Sequence, residues 1–259
     1  MFSKPTEFRD RLEQQIGDWG LPTSLAAEFA QHLTPVTYEK DSILFLRGSP
    51  AEFLFCIVSG FAKVYLPHNS GARTLVAIAR SGDVLGIVDG LDTGTQRYQV
   101  FEAHALTKCS IGLISREHVA KLLRSLDSGT IIHLLEHINT TWSRKFAWYA
   151  ALMGLSFRQR LQMVFEDLRD RVGVADRRGT LLLPALTHED LAEMIGSSRP
   201  MVSRLISEMV EDGFLVPCGK RHYVIRTGSV PFQSSRASDD TKQKETAFPR
   251  CEGFAYLTR

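Results

Sequence analysis

A helix that halts at a glycine and restarts three residues later constrains this chain more than any bulk property does. In "AEMIGSSRPMVSRLI", residues 192–206, an apolar-periodic run stops at Gly196 and a second opens behind Ser198, Arg199 and Pro200. Upstream, Thr187 and Asp190 stand three apart in the form of a capping box, and Leu191 and Ile195 supply the buried face. Gly196 is expected to take the left-handed turn that a Cβ resists. Ser198 is the expected cap of the second helix. Pro200 then falls in the first turn, where its missing amide hydrogen has no helical partner to lose.

Val202, Leu205, Ile206, Met209 and Val210 recur at helical spacing and are predicted to point inward. Pro200, Ser203, Arg204 and Ser207 are left outward, with Arg199 at the exposed N-terminal end. Two short helices joined by a glycine turn, the second with a slim polar and arginine face, are what a helix-turn-helix requires. Such a face can enter a major groove and donate to bases and phosphates. Local charge agrees: no acidic residue occurs from Met194 to Ser207, or from Gly213 to Arg226. The second of these stretches, "FLVPCGKRHYVIR", reads as two strands around a basic turn carrying Lys220 and Arg221, a wing able to touch the phosphate backbone. Double-stranded DNA is the predicted partner. The formal net charge of +2 over 259 residues is too small to indicate it; the placement of the charges along the chain does.

The rest of the chain divides by texture. Residues 6–33 read as two short helices separated by Pro22, the second with Leu25, Phe29 and Leu33 on one face. From Tyr38 to about Leu113, short β-rich runs are punctuated by Gly48, Gly60, Gly71, Gly82, Gly86 and Gly90, the pattern of a sandwich or roll. A short helix over 115–125 precedes a long one from about Thr130 to Leu155. Its apolar positions Ile131, Leu135, Ile138, Trp142, Phe146, Tyr149 and Met153 step by three and four, as in a helix that packs along another of its kind. Ser156 and Gln159 form a second capping box, and the helix they open is ended by Gly173. The expected architecture is α+β: a sensing roll with its leading helices over 1–127, a dimerisation helix over 128–155, a winged helix-turn-helix over 156–227, and a polar, disordered tail over 228–259.

Cys56, Cys109, Cys218 and Cys251 lie far apart without a C-x-x-C pair, which argues against a zinc module, a cysteine-ligated cluster and a disulfide framework. No metal or cofactor is expected. The N-terminus lacks an apolar leader core, and no later run approaches eighteen apolar residues, so a cytoplasmic protein with no membrane partner is expected.

"LTHEDLAEMIGSSRPMVSRLISEMVEDGFL" followed by "KRHYVI" closely resembles the winged helix of the Crp/Fnr superfamily of bacterial transcription regulators. Upstream, the Gly48, Phe53, Ile57 and Gly60 pattern, "GDVLG" at 82–86 and "CSIGLIS" at 109–115 are similar to that family's cyclic-nucleotide-binding β-roll, a jelly roll. The resemblance implies a homodimer on a palindromic operator, working with RNA polymerase. It would place His188 against a phosphate, Arg199 on a guanine or a backbone oxygen, and Ser203 and Arg204 on the groove side. Pro200 stands where the family often has a glutamate, so the acceptor for a cytosine amino group is absent and the family's usual half-site does not carry over.

By the same resemblance, a small-molecule effector would meet Gly82, Asp83, Val84, Leu85, Gly86, Arg97 and Tyr98. Here the pattern departs from cyclic AMP binders, which have a glycine-glutamate start and an Arg-Ser/Thr end. Asp83 is a methylene short for a ribose hydroxyl, and Tyr98 replaces the small hydroxyl donor. Cyclic nucleotides stay among the candidates, with cyclic AMP disfavoured. Two other readings compete: a roll that senses a ligand and acts on protein partners, and a metal-dependent hydrolase built on "HLLEH", His133–His137, which matches an inverted zinc-peptidase pattern. The first leaves the basic wing and groove face unexplained. The second lacks a separate third ligand and lies within the apolar stripe.

Overall fold

Short alternating runs between glycine turns build a two-sheet roll at the front of the chain. The computed structural model describes residues 10–11, 13–14, 23–86, 97–219 and 221–226. Helix α1 (Thr23–Gln31) leads into β1 (Thr34–Tyr38), β2 (Ile43–Phe45), β3 (Phe53–Ser59), β4 (Ala62–Pro67), β5 (Arg73–Ala79), β6 (Val84–Leu85), β7 (Glu102–Ala105) and β8 (Cys109–Ser115). One antiparallel sheet has the order β1-β8-β3-β6, and the other β2-β7-β4-β5. The first of the two predicted leading helices falls largely outside the described residues, as do the end of the β6 turn and the tail from residue 227.

The layering explains why β3 is apolar at every second position on both sides. Phe55 and Ile57 point between the sheets, where they meet Phe45, Val64, Ala103 and Ile111. Leu54, Cys56 and Val58 point outward, under Phe29 and Leu33 of the N-terminal segment and under Val119 and Leu122 of α2 (Arg116–Arg124). A strand covered on both faces reads as a continuous apolar run, where a half-exposed one alternates. Gly60 turns β3 into β4 at φ +90°, and a Cβ there would lie 2.4 Å from the Lys108 carbonyl oxygen, so the turn needs glycine on both counts.

Helix α3 (Ser128–Met153) runs for 26 residues from an Asp127 cap whose carboxylate accepts from the Thr130 amide at 3.0 Å. The Ser156–Gln159 capping box is present and opens α4 (Phe157–Val172), which Gly173 ends. Then follow β9 (Gly173–Asp176), β10 (Gly179–Leu182), α5 (His188–Ile195), α6 (Arg199–Glu211), β11 (Leu215–Pro217) and β12 (Tyr223–Arg226). The last four strands form one sheet, β11-β12-β10-β9. The β9–β10 hairpin was not anticipated from the sequence.

The winged-helix core does not stand alone. Leu161, Phe165, Leu191, Ile195, Val202, Leu205 and Met209 form one buried cluster with Tyr65, Leu75, Ile78 and Leu106 of the roll. The outer face of the β4–β5 hairpin is thus covered by the unit that follows α3, and the sensor and the helix-turn-helix share apolar surface.

Candidate nucleic-acid interface and effector cavity

The helix pair forms as its local chemistry demands. Thr187 caps α5 by accepting from the Asp190 amide at 3.0 Å, and Asp190 returns the contact by accepting from the Thr187 amide at 2.9 Å. Gly196 closes α5 at φ 68° and ψ 41°, the left-handed turn. Contrary to the sequence-based expectation, Ser198 occupies the N-cap position of α6 but its side chain makes no capping hydrogen bond. Pro200 in the first turn removes one donor that a cap would otherwise have to satisfy.

On α6, Val202, Leu205, Ile206 and Met209 are buried, while Arg199, Pro200, Arg204 and Ser207 are exposed. Arg199 makes no side-chain hydrogen bond or ion pair among the described residues. Arg204 lies 3.6 Å from Glu208 and donates weakly to the Met201 sulfur at 3.1 Å, contacts a phosphate or base edge could replace. Arg221 is exposed on the wing at φ 66°. Lys220 lies outside the described residues.

His188 is the residue whose role the structure adds to most. Its Nδ1 lies 2.8 Å from Ser203 Oγ and its Nε2 3.0 Å from the Tyr223 hydroxyl. Ser203 Oγ already donates to the Arg199 carbonyl at 3.0 Å, so Nδ1 is the donor and Nε2 accepts from Tyr223. One neutral imidazole therefore joins α5, α6 and the wing. Burial first, and then the positive charges of Arg199 and Arg221, hold its pKa below the usual histidine value.

A second feature sits between the roll and α3: a cavity of about 690 Å³ with chiefly apolar walls. Gly82, Asp83, Val84, Leu85 and Gly86 all line it. Arg97 and Tyr98 do not; Tyr98 pairs with Pro50 and is 53% exposed. Sequence reasoning missed Lys145, Arg171 and Gln99, which also line the cavity and come from three distant parts of the chain. Asp83 accepts from the Arg80 amide at 2.8 Å and pairs with Arg171 at 3.3 Å, so its carboxylate already has partners within the protein.

The apolar stripe on α3 divides between two faces. Ile138, Trp142 and Tyr149 line the cavity, and the Tyr149 hydroxyl donates to the Val76 carbonyl of β5. Ile131, Leu135, Phe146 and Met153 are exposed away from it, together with Ile132, which the periodicity alone did not single out, and Trp142 and Tyr149 are partly open to solvent as well. His133 and Glu136 form an exposed pair at 3.6 Å. Among the described residues, no three His, Cys, Asp or Glu side chains lie together as metal ligands, and no helix is long and apolar enough to cross a membrane.

Comparison with known proteins agrees with this layout. Residues 35–125 match the cyclic nucleotide-binding domain, and residues 159–227 the Crp-like helix-turn-helix domain. The global nitrogen regulator of Synechococcus elongatus is 26% identical over 194 residues, covering 71% of this chain and 82% of that protein. The CRP-like cAMP-activated global transcriptional regulator of Mycobacterium tuberculosis is 23% identical over 202 residues, covering 78% and 88%. Among solved structures, FixK2 from Bradyrhizobium japonicum superposes with a TM-score of 0.64 at 22% identity, over 75% of this chain and 93% of that one, which shows a shared fold. A sensor roll, a long connecting helix and a winged helix-turn-helix, in this order and with both domain matches, place the chain in the Crp/Fnr superfamily of transcription regulators.

Proposed function

We propose that this regulator works in the cytoplasm as a homodimer that binds a palindromic operator, contacts RNA polymerase there, and is switched by a small molecule held between the roll and α3. The observation that carries the reading is the exposed face of α6, where Arg199, Pro200, Arg204 and Ser207 lie in a stretch, residues 194–207, that contains no acidic residue. Side chains this slim let a helix approach the groove floor, and the arginines supply donors for guanine edges and phosphates. His188, Ser203 and Tyr223 fix the wing to that helix, so base and backbone contacts are made as one unit.

The exposed stripe of Ile132, Leu135, Phe146 and Met153 supports pairing of two α3 helices. Pairing would set two copies of α6 about 34 Å apart, one turn of duplex. An effector in the cavity touches both the roll and α3. It can therefore favour one arrangement of the pair over another to the extent that it binds the two arrangements differently. In the "HLLEH" segment, His133, Leu135 and Glu136 are exposed surface of that helix, while Leu134 and His137 line the cavity.

Selection of random duplexes by the purified protein, without ligand and with cyclic AMP or cyclic di-GMP, tests the reading. The expected result is enrichment of a palindrome whose half-sites are one helical turn apart. Failure to enrich any sequence in all conditions would overturn it.

A further inference from the structure

Among the polar groups lining the cavity between the roll and α3, Lys145 and Gln99 have bonding capacity that the described residues leave unused, and the exposed His137 joins them from α3. Lys145 lines it from α3 and makes no hydrogen bond or ion pair among the described residues. The nearby carboxylates are engaged by Arg171, which pairs with Asp83 at 3.3 Å and Asp167 at 3.7 Å and also donates to the Ile78 carbonyl at 3.1 Å. The lysine side chain is exposed at the rim, yet enough protein surrounds it for burial, followed by the Arg171 charge, to lower its pKa. The second group is Gln99, which is 3% exposed and lines the cavity. Its backbone is bound to the turn at Gly48 and Ser49, but its side-chain oxygen is buried without a hydrogen bond. Such an atom loses its water on folding and gains nothing in exchange.

The walls decide what else the ligand can carry. Phe101, Leu134 and Ile138 belong to a chiefly apolar lining, and 690 Å³ is within the range of about 300–1,000 Å³ that encloses a whole small molecule. A purine, a ribose and a phosphate would bring many hydrogen-bonding groups to a lining that answers few of them. One anionic group and one further donor match it.

We propose that the effector is an apolar monocarboxylate with a second group that donates a hydrogen bond. Its carboxylate pairs with Lys145, its donor reaches Gln99 Oε1, and its hydrocarbon body lies against Phe101, Leu134 and Ile138. This assignment rests on reading the cavity as the effector site of a DNA-binding regulator.

Calorimetric titration of the full chain with dodecanoate, ω-hydroxydodecanoate, the methyl ester of the hydroxy acid, and cyclic AMP tests it. The hydroxy acid should bind most tightly, with the ester about tenfold weaker or worse, since the ester forfeits a charge-assisted contact. Lys145→Met should bring the acid down to the level of the ester, and Gln99→Leu should abolish the advantage of the hydroxyl. Where Gln99→Leu fails to fold, dodecanoate against its hydroxy derivative on the unmutated chain tests the same contact. Equal affinity for acid and ester, no binding of either acid, or saturable binding of cyclic AMP that Lys145→Met leaves unchanged would overturn the assignment. Duplex selection on the same preparation separates the two readings. DNA binding without acid binding overturns the ligand class alone, whereas acid binding without duplex enrichment upholds the ligand and overturns the regulator.

Discussion

Lys63 on β4 and Asp190 in the first turn of α5 meet at 2.5 Å, joining the sensor roll directly to the helix-turn-helix. Asp190 is 5% exposed at its side chain and Lys63 17%, so water screens the pair only weakly. The same carboxylate closes the Thr187 capping box, which means that one side chain both starts α5 and anchors it to the roll. One helical turn further on, Glu193 accepts from Arg73 at 3.0 Å, and the Arg73 guanidinium lies 4.0 Å from the centre of the Tyr65 ring. Any movement of the roll's outer hairpin is therefore felt at the helix that positions α6.

Replacement of Lys63 by Met keeps the stem that packs at this junction and removes the charge, leaving a buried carboxylate with only its capping bonds. A loss of about 1–3 kcal/mol in unfolding free energy is expected, measured by denaturant titration. The effector-dependent change in operator affinity should shrink as well, because the helix pair would follow the roll less closely. An unchanged midpoint together with an unchanged response would show that the shared apolar core, and not the ion pair, makes the connection.

Arg204→Ala should weaken binding to the selected operator by about 1–3 kcal/mol while barely affecting random duplex, as expected of a contact to a base edge. Arg221→Ala on the wing should weaken both alike and reduce the slope of log affinity against log salt by about one. Fluorescence anisotropy at several salt concentrations distinguishes the two. Equal loss on both duplexes for Arg204→Ala would move that arginine from the bases to the backbone.

Features set by neighbouring residues were legible in the sequence, and features set by distant ones were not. The Thr187–Asp190 and Ser156–Gln159 boxes and the Gly196 turn depend on a few adjacent residues, and each forms as read. The β9–β10 hairpin escaped because its strands have four residues each and its remaining partner, β12, lies more than forty residues away. Tyr65, Leu75 and Ile78 fall within the β-rich runs, but nothing local says that they are buried or that the DNA-binding unit is what covers them. Lys145 and Gln99 were invisible as site residues for the same reason: each is an unremarkable polar residue until the fold brings it to the cavity. Ser198 shows the limit of a local rule, since the position is right and the bond is absent.

Gly196 has open space where a Cβ would project, so only its backbone conformation at φ 68° restricts substitution. Gly196→Ala should cost about 1–2 kcal/mol, the strain of an L-residue in the left-handed region, and Gly196→Asn appreciably less. Thermal unfolding of the two variants side by side measures the difference. Equal costs for Ala and Asn would point to a contact rather than to the dihedral angle.

The depressed pKa of His188 has a definite consequence for stability. The folded state binds its proton less readily than the unfolded chain does, so its contribution is complete above the ordinary histidine value of about 6.5. That contribution is lost as the pH falls through the ordinary value towards the lowered one. His188→Gln should therefore reduce the drop in unfolding free energy between about pH 7.5 and 5.5, because a neutral amide does not titrate. An identical drop in both proteins would mean that the imidazole is no harder to protonate folded than unfolded.

The exposed face of α3 gives the last prediction. Leu135 is 59% exposed and Phe146 78%, and a long apolar face left in water ordinarily finds a partner. Leu135→Asp and Phe146→Asp place charges on this face without entering the chain's own core, so the variants should fold with unchanged circular dichroism. By sedimentation they should run as monomers where the parent runs as a dimer. Operator affinity should then fall by about a hundredfold or more, since two half-sites bound by linked domains gain an effective concentration that separate domains lack. Affinity for a single half-site should hardly change, which separates loss of pairing from damage to α6. Dimers persisting in both variants would place the pairing surface elsewhere, and the apolar face of α3 would then need another occupant.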